Sequence, residues 1–349
     1  MIRVPLKNKY LIKNITLIFE CCERNKCICN EMSIIQRSVK KYSDKFKMLN
    51  GFTYNKVPMN YKSISAFDLS VKNKNDTNNK MRENIIGAII NERVPEKYFT
   101  ISRRWKYIKY SIMSYLRDLI ENDQPITSIK LEHCGGRRFN YDFTITINQI
   151  LSFNIELKYN TDTVEEAPQF VSPMKPSKYM SSSYEEYFYD NYLPVLSELS
   201  GFPLPDRNQY LKEIHNNIPV CMKKYQELYY KGCKQSSKYT ENEKHIEFYE
   251  KAKDIDNQSR RSFIENNDLN IELLSSYLQD TQKGKIYMLY KNNSFKKEKI
   301  NMEDYDLLSY EKLPNKYMYL ATSVSGKKIK ILLRWKNGNG IAYPAFQIS

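Results

Sequence analysis

Asp142, Glu156 and Lys158 are two carboxylates and an amine at a spacing that lets them converge. They sit in Arg138-Phe139-Asn140-Tyr141-Asp142-Phe143-Thr144-Ile145-Thr146-Ile147 and in Phe153-Asn154-Ile155-Glu156-Leu157-Lys158-Tyr159. Both runs alternate apolar and polar residues with period two, which predicts half-buried strands. The odd positions are apolar in each, so Asp142, Glu156 and Lys158 share the polar face. A hairpin centred near Gln149 would set Asp142 directly opposite Glu156. Cross-strand partners lie about 5 Å apart at Cβ, and carboxylates that close repel unless a cation separates them. Carboxylate oxygen is the ligand that Mg²⁺ prefers. The plain alternative is an exposed strand with a solvated Glu and Lys.

The elements around this pair must hold it in place. The isoleucines at 85, 86, 89 and 90 predict a helix over 81–93. Ile108, Ile112, Leu116 and Leu119 make a cleaner stripe and predict a second helix over 103–121. A short strand is expected between Pro125 and His133. Ser183-Tyr184-Glu185-Glu186 reads as a capping box that opens a helix over 184–199. Helix is expected again over much of 206–278. Strands are expected over Lys285–Tyr290, Tyr317–Ser323 and Lys328–Lys336, with Ile341–Ile348 returning after the Asn337-Gly338-Asn339-Gly340 turn.

Asp, followed on the next strand by Glu-x-Lys, resembles the PD-(D/E)xK nucleases, the restriction-endonuclease-like superfamily. Asp142 matches the motif aspartate, Glu156 the D/E position and Lys158 the lysine. Tyr141 stands where the naming proline would be. The likeness covers roughly residues 80–200. It implies an α+β (α/β) restriction-endonuclease-like core, a mixed β-sheet flanked by helices. It also implies a Mg²⁺- or Mn²⁺-dependent endonuclease that hydrolyses DNA and leaves a 5′-phosphate. Asp142, Glu156 and the main-chain carbonyl of Leu157 would hold the metal. Many members add a glutamate from the preceding helix, for which Glu83 is the candidate and Glu92 the reserve. In some members a downstream glutamine holds the substrate strand, a role open to Gln169. Arg137 and Arg138 beside the motif are further candidates for substrate contact. The rival readings are an RNA endonuclease of the same fold and a non-catalytic nucleic-acid-binding or structural protein. A homodimer would suit cleavage of both strands.

The chain has 349 residues and a formal charge of +15. The first 80 residues alone carry +10, residues 281–349 are also basic, and the middle is close to neutral. Lysine and arginine contacts to phosphate supply most non-specific affinity for nucleic acid. The expected organisation is a basic N-terminal region (1–75), a nuclease core with a helical insertion (81–280) and a basic β-rich region (281–349). The polar run 72–80 is the expected linker. In the last region one face of the expected hairpin is basic, and Lys328, Lys330 and Arg334 are candidates to lie on nucleic acid. Lys223, Lys224, Lys231 and Lys234, interleaved with Tyr225, Tyr229 and Tyr230, are another basic and aromatic stretch.

No apolar run approaches the length of a membrane span, and the first residues lack a signal-peptide core. A soluble intracellular protein of the cytoplasm or nucleus is therefore expected, with no membrane partner. Seven cysteines without regular spacing argue against a disulfide framework. Cys21, Cys22, Cys27 and Cys29 cluster, but their spacing is not a common zinc pattern. His133, close to the motif, could orient a water or a phosphate.

Overall fold

The computed structural model describes residues 49–68, 75–120, 125–134, 139–171, 175–201, 203–214, 243–337 and 342–349. The chain is α+β with mixed sheets and divides into two compact units, Met1–Ile112 and Met113–Ser349.

The first unit opens with a hairpin of β1 (Phe52–Tyr54) and β2 (Val57–Met59). Helix α1 (Asn75–Ile90) buries Ile85, Ile86, Ile89 and Ile90, as the periodicity requires. It starts at Asn75, inside the run expected to be a linker, because Asn and Lys tolerate a helix end once the isoleucine face is anchored. Arg82 is fully buried there and its Nε donates to the Ala66 carbonyl at 2.8 Å. Short helix α2 (Lys97–Ile101) leads into α3 (Arg103–Leu119), which buries Trp105, Ile108 and Ile112 in this unit and Leu116 and Leu119 past the division at residue 112.

The second unit is built on two five-stranded sheets. The central one has the order β3 (Ile129–His133), β4 (Phe143–Ile147), β5 (Leu151–Tyr159), β7 (Lys285–Lys291), β8 (Ser294–Lys299). All its neighbours are antiparallel except β5 and β7, which run parallel. The boundary expected at residue 281 lies just before strand β7. It falls within the unit that carries the hairpin, and two strands beyond it complete the central sheet. The second sheet is antiparallel, in the order β6 (Gln169–Phe170), β12 (Ala342–Ile348), β11 (Lys328–Asn337), β10 (Met318–Ser323), β9 (Leu307–Leu313).

Helices of the second unit are α4 (Tyr184–Asn191), α5 (Leu193–Ser200), α6 (Arg207–Glu213), α7 (Glu243–Asn266) and α8 (Ile271–Gln282). Ser183 caps α4, its Oγ accepting from the Glu186 amide at 3.2 Å. The single helix expected over 184–199 is broken at Tyr192, just ahead of Pro194, which cannot donate to the helix ladder. One large core forms between these helices and the second sheet, with Tyr184, Phe188, Phe263, Leu278, Ile331, Leu333, Trp335 and Phe346 in it. Among the described residues no helix is long and apolar enough to cross a membrane.

Candidate active site

The site starts from a turn. Asn148 and Gln149 both take positive φ, 53° and 60°, between β4 and β5. Asparagine tolerates that conformation better than most residues because its short side chain bonds locally. Here Asn148 Oδ1 accepts from the amides of Thr127 at 2.8 Å and Ser128 at 3.2 Å, which ties the turn to the start of β3. The turn fixes the register: Ile147 pairs with Leu151, Ile145 with Phe153 and Phe143 with Ile155. Asp142 lies just outside the paired stretch, one residue ahead of Phe143.

Asp142 is clamped on both sides. Its amide donates to the Ile155 carbonyl at 2.9 Å, and its own carbonyl accepts from the Cys134 amide at 2.9 Å. Its Oδ2 accepts from the Leu157 amide at 2.9 Å. The N–H and C=O of one strand residue point to the same side. The Leu157 carbonyl therefore faces the edge on which the Asp142 carboxylate sits.

Glu156 is held by lysines on both oxygens. Oε1 receives Lys158 Nζ, and Oε2 receives Lys285 Nζ at 2.5 Å. Lys285 is the first residue of β7. Its side chain is 3% exposed and also donates to the Asn140 carbonyl at 2.9 Å. Burial pushes the Glu156 carboxyl upward, but the two ammonium groups outweigh it and hold the group below the usual carboxylate range. Burial lowers the Lys285 ammonium, and Glu156 offsets that only in part. Asp142, Glu156, Lys158 and Lys285 together sum to zero charge.

Beneath them lies Tyr287, fully buried, with Lys285 Nζ 5.3 Å and Lys158 Nζ 5.9 Å from its ring centre. Burial first, and the Glu156 charge second, drive its hydroxyl pKa far upward, so it stays protonated. It donates to Gln282 Oε1 at 2.8 Å, and Gln282 Nε2 donates to Gln169 Oε1 at 3.3 Å. Gln169 thus reaches the edge of the site through two buried partners.

The structure brings together Asp142, Glu156, Leu157 and Lys158. Glu83 belongs to the first unit, where its carboxylate accepts from Lys80 at 2.8 Å, and Glu92 is exposed at the end of that helix. His133 packs its ring edge-on to Phe143, with centres 5.4 Å apart. Lys328 and Lys330 are exposed on β11, and Lys328 donates to Thr322 Oγ1 at 2.6 Å. Arg334 donates to Gln347 Oε1 at 2.8 Å and lies over the Phe170 ring. Arg137, Arg138, the Cys21–Cys29 cluster, the 223–234 stretch and the Gly338–Gly340 turn lie outside the described residues. Cys134, free and half-buried, contacts Thr144 Oγ1 at 3.2 Å. Among the described residues no group of three or more His, Cys, Asp or Glu gathers as a metal site.

Sequence reasoning missed Lys285. The hairpin is local and its pattern visible, but a parallel partner strand is joined only by a long crossover. The one local signal is that Lys285 opens a run, Lys-Ile-Tyr-Met-Leu-Tyr, too apolar to be a surface strand. Compared with known proteins, the chain matches no family model, no curated protein and no solved structure.

Proposed function

We propose that the chain is a metal-dependent nuclease that hydrolyses phosphodiester bonds in DNA, in the manner of the PD-(D/E)xK enzymes it resembles. The supporting observation is the strand register. It ends at the Phe143–Ile155 pair, beside which Asp142 Oδ2 accepts from the Leu157 amide and Lys158 Nζ pairs with Glu156. Two carboxylates and a peptide carbonyl are the hard oxygen donors that suit Mg²⁺ or Mn²⁺. Asp142, Glu156 and Leu157 would hold the ion, with Glu156 giving up one of its ammonium partners. Once bound, such an ion lowers the pKa of a water and offsets charge on the phosphate.

The rest falls to the chain. Asp142 keeps its orientation through the Leu157 amide. Lys158, freed from Glu156, orients the attacking water or meets the charge that develops on the phosphate. Lys285 remains as the fixed counter-charge to Glu156. Attack in line with the 3′ oxygen leaves a 5′-phosphate and a 3′-hydroxyl. RNA is the alternative polymer.

One observation favours a non-catalytic nucleic-acid-binding protein instead: both Glu156 oxygens are already neutralised by lysine. The two readings part in one assay. Plasmid, single-stranded DNA and RNA are incubated with wild type and Asp142→Asn, in Mg²⁺, Mn²⁺ or EDTA. The amide can still accept from Leu157, so the variant should fold. The nuclease reading expects cleavage by wild type with metal and at least a hundredfold loss in the variant, on the order of one lost transition-state contact. No cleavage of any substrate, or equal cleavage by both proteins, overturns it.

A further inference from the structure

Helix α3 has a second face that the core does not use. Arg103, Lys106, Tyr107 and Tyr110 recur at the three-and-four spacing of one helix stripe. All are exposed, Tyr107 at 61% and Tyr110 at 57%. The buried stripe of the same helix holds Trp105, Ile108 and Ile112 in place, so the rings are presented by a rigid element and not a loop. Lys106 Nζ lies 5.5 Å from the centre of the Tyr110 ring. Among the described residues neither Arg103 nor Lys106 pairs with a carboxylate, and no Asp or Glu occurs between Arg103 and Arg117. The neighbouring Lys109 is different: it is half-buried, lies over Phe99 and sits 3.4 Å from Glu96.

An exposed aromatic ring costs solubility and stabilises nothing in the core. Two of them at adjacent helix positions, flanked by unpaired cations, match a ligand that offers flat rings and negative charge at short intervals. We propose that this face of α3 is a binding platform for single-stranded nucleic acid. Tyr107 and Tyr110 stack on successive bases, and Arg103 and Lys106 contact the phosphates between them. A duplex hides its base faces and fits poorly; an acidic peptide supplies the charge without the rings. The platform lies in the first unit and does not depend on the nuclease reading of the second. Binding can therefore succeed where cleavage fails.

The test is fluorescence anisotropy on the full chain in EDTA, with a short fluorescein-labelled oligothymidylate as probe. The chain carries Asp142→Asn throughout, so that no cleavage intrudes. Tyr107→Ala/Tyr110→Ala should weaken binding by about 5- to 100-fold per ring removed, whereas Tyr107→Phe/Tyr110→Phe should bind as the parent does. Lys106→Ala should reduce the slope of log K against log salt by about 0.7, the value for one phosphate contact on a single strand. Both tyrosines are exposed, and an unchanged thermal melt of each variant confirms that folding is not the cause. The proposal is overturned if the double alanine variant binds within twofold of the parent. It is also overturned if duplex of the same length, or poly-glutamate, binds the tyrosine face more tightly than the single strand.

Discussion

Glu156 is the residue on which chemistry and stability meet. Its side chain is 14% exposed and faces Lys285, which is buried more deeply still. Removing one member of a buried ion pair leaves the other charge uncompensated, at a cost of about 3–5 kcal/mol. Glu156→Ala should therefore be destabilised by about that much, since Lys285 loses its main counter-charge. The double variant Glu156→Ala/Lys285→Met should regain much of the loss, because a charge no longer sits in the sheet. Urea unfolding of the parent, both single variants and the double variant measures the coupling. A double variant no more stable than Glu156→Ala would remove Lys285 from this account. The same reasoning makes Asp142 the better residue for a loss-of-activity test. One of its oxygens is held by a neutral amide, and its charge is the smallest of the influences on buried Lys285, well behind that of Glu156.

At the scale of elements, strand β7 ties the hairpin to the rest of the unit. It lies between β5 and β8, and it delivers both Lys285 and Tyr287. A chain cut after residue 280 would lose two strands of the central sheet and four of the five strands of the second. Such a truncation should show no cooperative thermal transition for residues 113–280 and should be digested at low protease concentration. A folded, protease-resistant fragment would mean that the hairpin and its helices form a core of their own. Local order was legible in the sequence and long-range order was not. The alternation of residues 139–147 and 153–159 gave the hairpin, and the turn near Gln149 gave its register. Ser183 gave the start of α4. Strand β8 is mostly Lys, Glu and Ser, and β9 mixes Leu and Tyr with polar residues without regular alternation, so neither shows the apolar pattern that marks a strand. Their pairing is set by β7 and β10 and not by their own composition. The pairing of β5 with β7 joins segments separated by the whole helical stretch, and no local pattern records it.

At the scale of the whole molecule, Asp256 and Glu156 pull the pH dependence of stability in opposite directions. Asp256 lies 3% exposed on α7, bonded to Arg260 Nε at 2.9 Å, with Arg334 and Tyr184 close enough to feel its charge. Burial outweighs the arginines and raises it from 3.8 to about 6. The folded state thus prefers the protonated acid more than the unfolded chain does. That preference is fully present below about pH 4 and is lost as pH rises to about 6, a decline of about 3 kcal/mol at 1.4 kcal/mol per unit. Glu156 is lowered instead, so its contribution is present above its ordinary value of 4.5 and is lost as pH falls through its folded value. The two windows barely overlap. Stability should peak at mildly acidic pH, near 4.5, although a formal charge of +15 places charge balance far on the alkaline side. Urea midpoints from pH 3.5 to 8 check this. Asp256→Asn keeps an acceptor for Arg260 and removes the titration, so its midpoint should stay flat between pH 4 and 6 where the parent declines. Its acid limb should persist, because Glu156 is untouched. A parent whose midpoint rises steadily from pH 4 to 7 would mean that the pair with Arg260 prevails over burial at Asp256.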